Sequence, residues 1–238
     1  MSAACLLNRF LLKELIFDEL SEKNWELLIR QAKSANLAAS LAEQVLGRSI
    51  QVPDKAVLHL CSERLLTSRQ VGATQYEFEK LAKVFLPQNI KAILLKGAAY
   101  IALDLDFAKH RKLSDIDILV DETCISKAEK ELIFYGWVPQ QVDDYDKVYY
   151  REWMHEIPPL IHRQRGSVID LHHNIFPPIS GISPNSSLLM EQAVYLEEFG
   201  LWRLSNEDMF IHSAVHFFLQ SETQNGLRDL SDVNELFR

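Results

Sequence analysis

Cysteine is scarce in this chain: Cys5, Cys61 and Cys124 are odd in number, far apart and in no CxxC pairing. That argues against a disulfide-stapled scaffold and against structural zinc built on cysteine, and it implies reduced thiols in a cytoplasmic protein. Positive charge is in deficit too, with 25 Lys and Arg against 33 Asp and Glu for a net charge of −8, and no basic run stands out. Coating nucleic acid requires clustered cations to neutralise phosphates, so bulk polynucleotide is not an expected partner. Long apolar runs are missing. The opening MSAACLLNRFLLKELIF is interrupted by Arg9, Lys13 and Glu14, and no stretch approaches the about 18 apolar residues of a membrane span. Internal repeats and low-complexity tracts are absent as well.

What remains is an ordinary globular composition: 238 residues, 47% hydrophobic and 24% charged. The length allows one large domain or two modest ones with a buried core. From Leu6 to about Leu86 apolar residues such as Trp25, Leu28, Ile29 and Ala32 recur at helical spacing, with Ser21 and Pro53 as helix starts. This region reads as an amphipathic helical layer.

At Asn89 the pattern changes. IKAILLK is a short apolar run followed by Gly97 and the helix-forming AAYIALDL, which predicts strand, tight turn, helix. A second run, DIDILV from Asp115 to Val120, precedes a helix over about Ser126 to Phe134 and a turn at Tyr135-Gly136. Further strands are expected near Trp137 to Val142 and Lys147 to Arg151, and PLIHRQ with SVIDLHH predicts a hairpin around Arg165-Gly166. FPPISGISPNSS, from Phe176 to Ser187, marks a loop or boundary. Helices are predicted over Ser205 to Phe218, with Ser205 and Asn206 as caps, and over Leu227 to Phe237. The chain stops at Arg238 in mid-pattern, so more helix is expected beyond it.

In an extended strand Asp115 and Asp117 share one face, while Ile116 and Ile118 share the other. Two carboxylates so placed repel each other unless a cation lies between them, and a hard divalent ion suits them. Asp170 repeats the alternation in VIDLHH, with His172 on its face. If the two strands pair, three carboxylates converge. Such a cluster holds one or two Mg²⁺ ions, and phosphoryl or nucleotidyl transfer is the chemistry that needs them. LLKGAAY offers a phosphate cradle, in which Gly97 turns the backbone and the next helix presents N–H groups to an anion. Lys96 can add a point charge, and Arg111 a bidentate donor.

This combination resembles the polymerase-beta-like nucleotidyltransferase superfamily. More narrowly, LLKGAAY, RKLSDIDILV and VIDLHH are similar to an uncharacterised bacterial nucleotidyltransferase group with motifs LKGAA, RxxSDID and IDLH. The similarity extends into NEDMFIHSAVHFF and LRDLSDVNELF. The resemblance implies an α/β (α+β) fold: a core of mixed β-sheet backed by helices over residues 87–175, between helical regions 1–86 and 176–238. It implies Asp115 and Asp117 as metal ligands for Mg²⁺, Asp170 as third ligand or general base, and Lys96, Gly97, Ala98, Arg111 and Ser114 as the nucleotide-binding set. The superfamily usually has Gly or Ser where this chain has Ala98, so a hydroxyl contact to phosphate is lost.

The implied activity moves a nucleoside monophosphate from an NTP, expected to be ATP, to the hydroxyl of a small molecule or protein and releases pyrophosphate. The flanking helices are expected to choose that acceptor. An inactive nucleotide-binding or regulatory protein of the same fold is the alternative, which the Ala98 departure permits. A phosphatase of the haloacid-dehalogenase type also uses DxD, but with the apolar strand before the first Asp, whereas here it follows. His212 and His216 have metal-sharing spacing on a helix but no HExxH, and are expected to be helix-face histidines. His172 shares the face of Asp170 and is expected to support the site or contact the acceptor. Asp229 and Asp232 read as capping and surface charge.

Overall fold

The computed structural model describes residues 5–48, 50–140, 154–176, 184–219 and 225–238. The predicted strand near Lys147 to Arg151, the end of the strand predicted to reach Val142, and residues 177–183 of the predicted loop lie outside them. Nine α-helices and seven strands are present among the described residues. The chain divides into two compact units: Met1–Gly72 with Leu105–Lys112 and Ser213–Arg238, and Ala73–Asp104 with Leu113–His212. The boundaries expected from sequence were different, because the helix that ends at Phe85 contributes to both units.

The first unit is helical. Helix α1 (Leu6–Leu11) is followed by α2 (Glu22–Ser34), and Ser21 Oγ caps α2 by accepting the Asn24 N–H at 3.3 Å. Satisfying one orphan amide in this way is what makes Ser a frequent helix start. The periodic residues Trp25, Leu28, Ile29 and Ala32 are buried and join Leu7, Phe10, Leu41 and Leu60 in one core. Helix α3 (Ala38–Leu46) supplies Leu41, and the long α4 (Asp54–Phe85) starts directly after Pro53, where a missing N–H costs nothing.

The second unit carries one mixed sheet, ordered β3-β4-β5-β2-β1-β7-β6. Its strands are β1 (Ile93–Leu94), β2 (Ile116–Leu119), β3 (Trp137–Pro139), β4 (Leu160–His162), β5 (Val168–His172), β6 (Val194–Leu196) and β7 (Leu201–Arg203). Helices α5 (Lys96–Ala102), α6 (Ile125–Phe134) and α7 (Ser186–Gln192) fall between strands. The predicted β4–β5 hairpin is present, turning through Gly166 at φ +69°. Its partner across the sheet is decisive for the site: β2 and β5 run parallel in the register Ile116–Ile169, Asp117–Asp170, Ile118–Leu171 and Leu119–His172.

Strands β6 and β7 add sheet to residues 176–238, a region read from sequence as a loop followed by helices. They extend the sheet, with β7 parallel to β1, and turn back through Gly200 at φ +69°. Helix α8 (Asn206–Leu219) follows, and Ser205 Oγ accepts the Asp208 N–H at 3.1 Å, as the capping reading expected. The last helix, α9 (Gly226–Phe237), belongs to the first unit.

Candidate active site

The register of β2 and β5 places Asp117 and Asp170 side by side, and Asp115 precedes β2 by one residue on the face of Asp117. One oxygen from each of Asp115, Asp117 and Asp170 lies within 4.8 Å of the others. The strand alternation inferred from sequence therefore does bring the three carboxylates together.

Their environments differ. Asp117 is 8% exposed, and its Oδ1 receives two contacts: Lys96 Nζ at 3.1 Å and His172 Nε2 at 3.0 Å. Burial alone would raise its pKa, but the Lys96 charge and the His172 hydrogen bond outweigh burial and hold the carboxyl well below the usual range. Asp170 has neither contact. Burial first, then the charges of Asp117 and Asp115, push its pKa up to about 7. Its Oδ1 is buried without a hydrogen-bond partner. Two neighbouring carboxyls are thus driven in opposite directions, which is the pattern by which sites separate an ionised ligand from a proton carrier.

His172 explains part of this. It is 2% exposed, and burial works against its cation, but the Asp117 hydrogen bond and the charges of Glu156 and Asp117 raise its pKa. It orients Asp117 and does so from the strand that carries Asp170. It shares the face of Asp170, as expected, and from there reaches one strand over to the carboxylate of Asp117.

The turn expected to cradle phosphate differs from expectation in its details. The residue in the left-handed region at the corner is Lys96, at φ 45°, while Gly97 lies inside the first turn of α5. A non-glycine residue pays strain in that region, so Lys96 is held there by its surroundings, of which the Asp117 pair is one. Ala98 is 1% exposed, and its N–H donates to Leu95 O at 3.1 Å. Its amide is therefore committed within the turn. Ser114 Oγ donates to Asp115 Oδ2 at 2.9 Å. Arg111 belongs to the first unit, where its Nε donates to Asp232 Oδ2 at 2.8 Å and its Nη2 lies 4.0 Å from Asp229. Its guanidinium is thus engaged by two carboxylates, and Asp232 is buried in that pair, not a surface charge as the sequence implied.

Sequence reasoning missed His155 and Glu156. Glu156 bridges to His172 as an isolated antiparallel pair, with Oε2 3.2 Å from His172 Nδ1. The signal was the dipeptide in MHEIPPL, but adjacent residues in a strand face opposite ways, and only the local bend lets both approach His172. Among the described residues no metal-competent group includes His212 or His216.

The donor set tests well against a divalent cation. Three hard oxygen donors meet, and Asp170 keeps an unsatisfied buried oxygen and a pKa raised by burial and then by its acidic neighbours, whose repulsion a cation removes.

Residues 21–238 match the family described as "Uncharacterised nucleotidyltransferase". No curated protein matches the chain. Among solved structures, an antigenic nucleotidyltransferase-like protein from Paracoccidioides brasiliensis is similar at 16% identity and a TM-score of 0.45, over 68% of this chain and 74% of that one.

Proposed function

The chain belongs to the uncharacterised nucleotidyltransferase family, and from that premise we propose that it transfers a nucleoside monophosphate from an NTP, ATP being the expected donor, to an acceptor hydroxyl. The observation that carries the reading is Asp170 held beside Asp117 by the β2–β5 register, with Asp115 completing the group. In the transfer the acceptor oxygen bonds to the α-phosphorus, the bond to the bridging oxygen of the β-phosphate breaks, and pyrophosphate leaves.

Asp115, Asp117 and Asp170 would hold Mg²⁺. The ion supplies charge neutralisation on the phosphate oxygens. Asp170 suits the removal of the acceptor proton by its position, because its buried Oδ1 makes no hydrogen bond within the protein and is left open to an incoming hydroxyl. Lys96 and His172 fix the rotamer of Asp117 through one oxygen. Lys96 adds a cation at the corner where a phosphate chain would pass, and the acceptor is a small-molecule or protein hydroxyl.

A second reading, a nucleotide-binding regulator without turnover, is favoured by one observation: the Ala98 position supplies neither a hydroxyl nor an uncommitted amide. Labelled ATP with Mg²⁺ and panels of small-molecule and protein acceptors separates the two. Label incorporated by the wild type and lost in Asp170→Asn is the expected result. Binding of a non-hydrolysable NTP with no incorporation favours the regulator. Binding that persists unchanged in Asp115→Asn/Asp117→Asn removes the basis for both.

A further inference from the structure

We propose that His155, Glu156 and His172 form a binding site for a transition metal of the zinc type, distinct from the acidic triad. The inference rests on this geometry and not on nucleotidyl transfer.

The three side chains each offer a donor atom within 4.8 Å of the other two. Two imidazoles and one carboxylate are a donor set that borderline metals prefer and Mg²⁺ does not. The backbone sets them up. Glu156 pairs with His172, Ile157 N–H donates to Leu171 O at 3.0 Å, and His173 N–H donates to His155 O at 2.8 Å. The segment after Met154 therefore lies along β5, and the His155 and His172 rings come to 5.2 Å between centroids at 35°.

Two features of His172 point to a ligand. Its Nε2 is engaged by Asp117 Oδ1 at 3.0 Å. A metal-bound histidine usually gives its other ring N–H to a carboxylate, which fixes the tautomer and turns the remaining lone pair towards the metal. That remaining atom, Nδ1, is buried and makes no hydrogen bond. It lies 3.2 Å from Glu156 Oε2 without hydrogen-bond alignment. Tetrahedral bonds of about 2.0–2.1 Å put neighbouring donors about 3.3 Å apart, so this separation is already that of two ligands of one ion. An ion there would also reach Asp117 through the His172 ring, and so join the two clusters by one imidazole.

The test uses Co²⁺ as a spectroscopic probe, titrated into the full chain with Mg²⁺ in excess to occupy the acidic triad. The expected result is one equivalent of Co²⁺ bound with nitrogen ligands and displaced by Zn²⁺. His155→Asn and Glu156→Gln each weaken binding by tenfold or more, and Asp115→Asn leaves it unchanged. Circular dichroism reports whether each variant folds. Should one fail to fold, X-ray absorption on the Co²⁺-loaded wild type decides, and two imidazole nitrogens in the shell are expected. The proposal is overturned by no binding to the wild type, by binding indifferent to both His155→Asn and Glu156→Gln, by loss of binding in a folded Asp115→Asn, or by a shell of oxygen alone.

Discussion

Replacing Asp170 by Asn should make the protein more stable at pH 8 while abolishing the proposed nucleotidyl transfer. The folded state holds the Asp170 carboxyl at about 7 against an ordinary value of 3.8. Between those values the folded chain binds a proton that the unfolded chain has lost, so stability falls as pH rises through the window and does not recover above it. The gap corresponds to about 4 kcal/mol at full development, an upper figure because partial solvent access and relaxation of the site reduce it. Asn does not titrate, and its amide can donate to neighbouring carboxylates. The variant should therefore match the wild type near pH 4 and exceed it by about 1–4 kcal/mol at pH 8. Urea unfolding at both pH values, without metal, measures the difference. Saturating Mg²⁺ should close the gap from the other side, since at one hundred times its Kd it stabilises the wild type by about 2.7 kcal/mol and the variant by less. A wild type whose stability relative to Asp170→Asn is independent of pH would falsify the account of three crowded carboxyls.

Other substitutions probe the same site and its frame. Lys96→Met leaves Asp117 buried beside two carboxyls without its lysine partner, and should cost about 3 kcal/mol in denaturant, partly restored by Mg²⁺. Asp117→Asn should lower nucleotidyl transfer at least about 100-fold in the labelled-ATP assay, the scale expected when a preorganised charge is removed from a transition state. In the helical unit Arg111→Ala strands buried Asp232, and a loss of about 3 kcal/mol by thermal unfolding is expected, with Arg111→Ala/Asp232→Ala losing less than Arg111→Ala alone. At the β6–β7 turn, Gly200→Ala meets Leu86 Cδ1 at 2.9 Å in a left-handed backbone, so a loss of about 1–2 kcal/mol should appear in the same measurement.

The carboxylate triad was legible because period-two alternation is a local rule. DID and VIDLH each state which residues share a face, and the hairpin turn at Gly166 limits where β5 can lie. What no local rule states is that β5 passes beside β2 in parallel, with Asp170 opposite Asp117 and not one position along. Helix starts were legible for the same reason, since Ser21 and Ser205 cap the turn that immediately follows them. Strands β6 and β7 were not. They are three residues each, β6 is largely exposed, and without a long apolar run they cannot be told from loop. Long-range pairs escaped entirely. Arg111 looked like a phosphate donor because its partner Asp232 lies 121 residues away, and His155 with Glu156 looked unremarkable until the bend against β5 was known.

The β2–β5 register carries a consequence for how this chain tolerates change. Inserting or deleting one residue within β5 rotates every following side chain by half a turn, presenting Ile169 and Leu171 where Asp170 and His172 now stand. A one-residue slip would turn one acid and one imidazole away from the site and two aliphatics into it at a single stroke, emptying both clusters of a member. Length in this strand should accordingly be the least negotiable property of the molecule, less forgiving than the identity of any helix-surface residue.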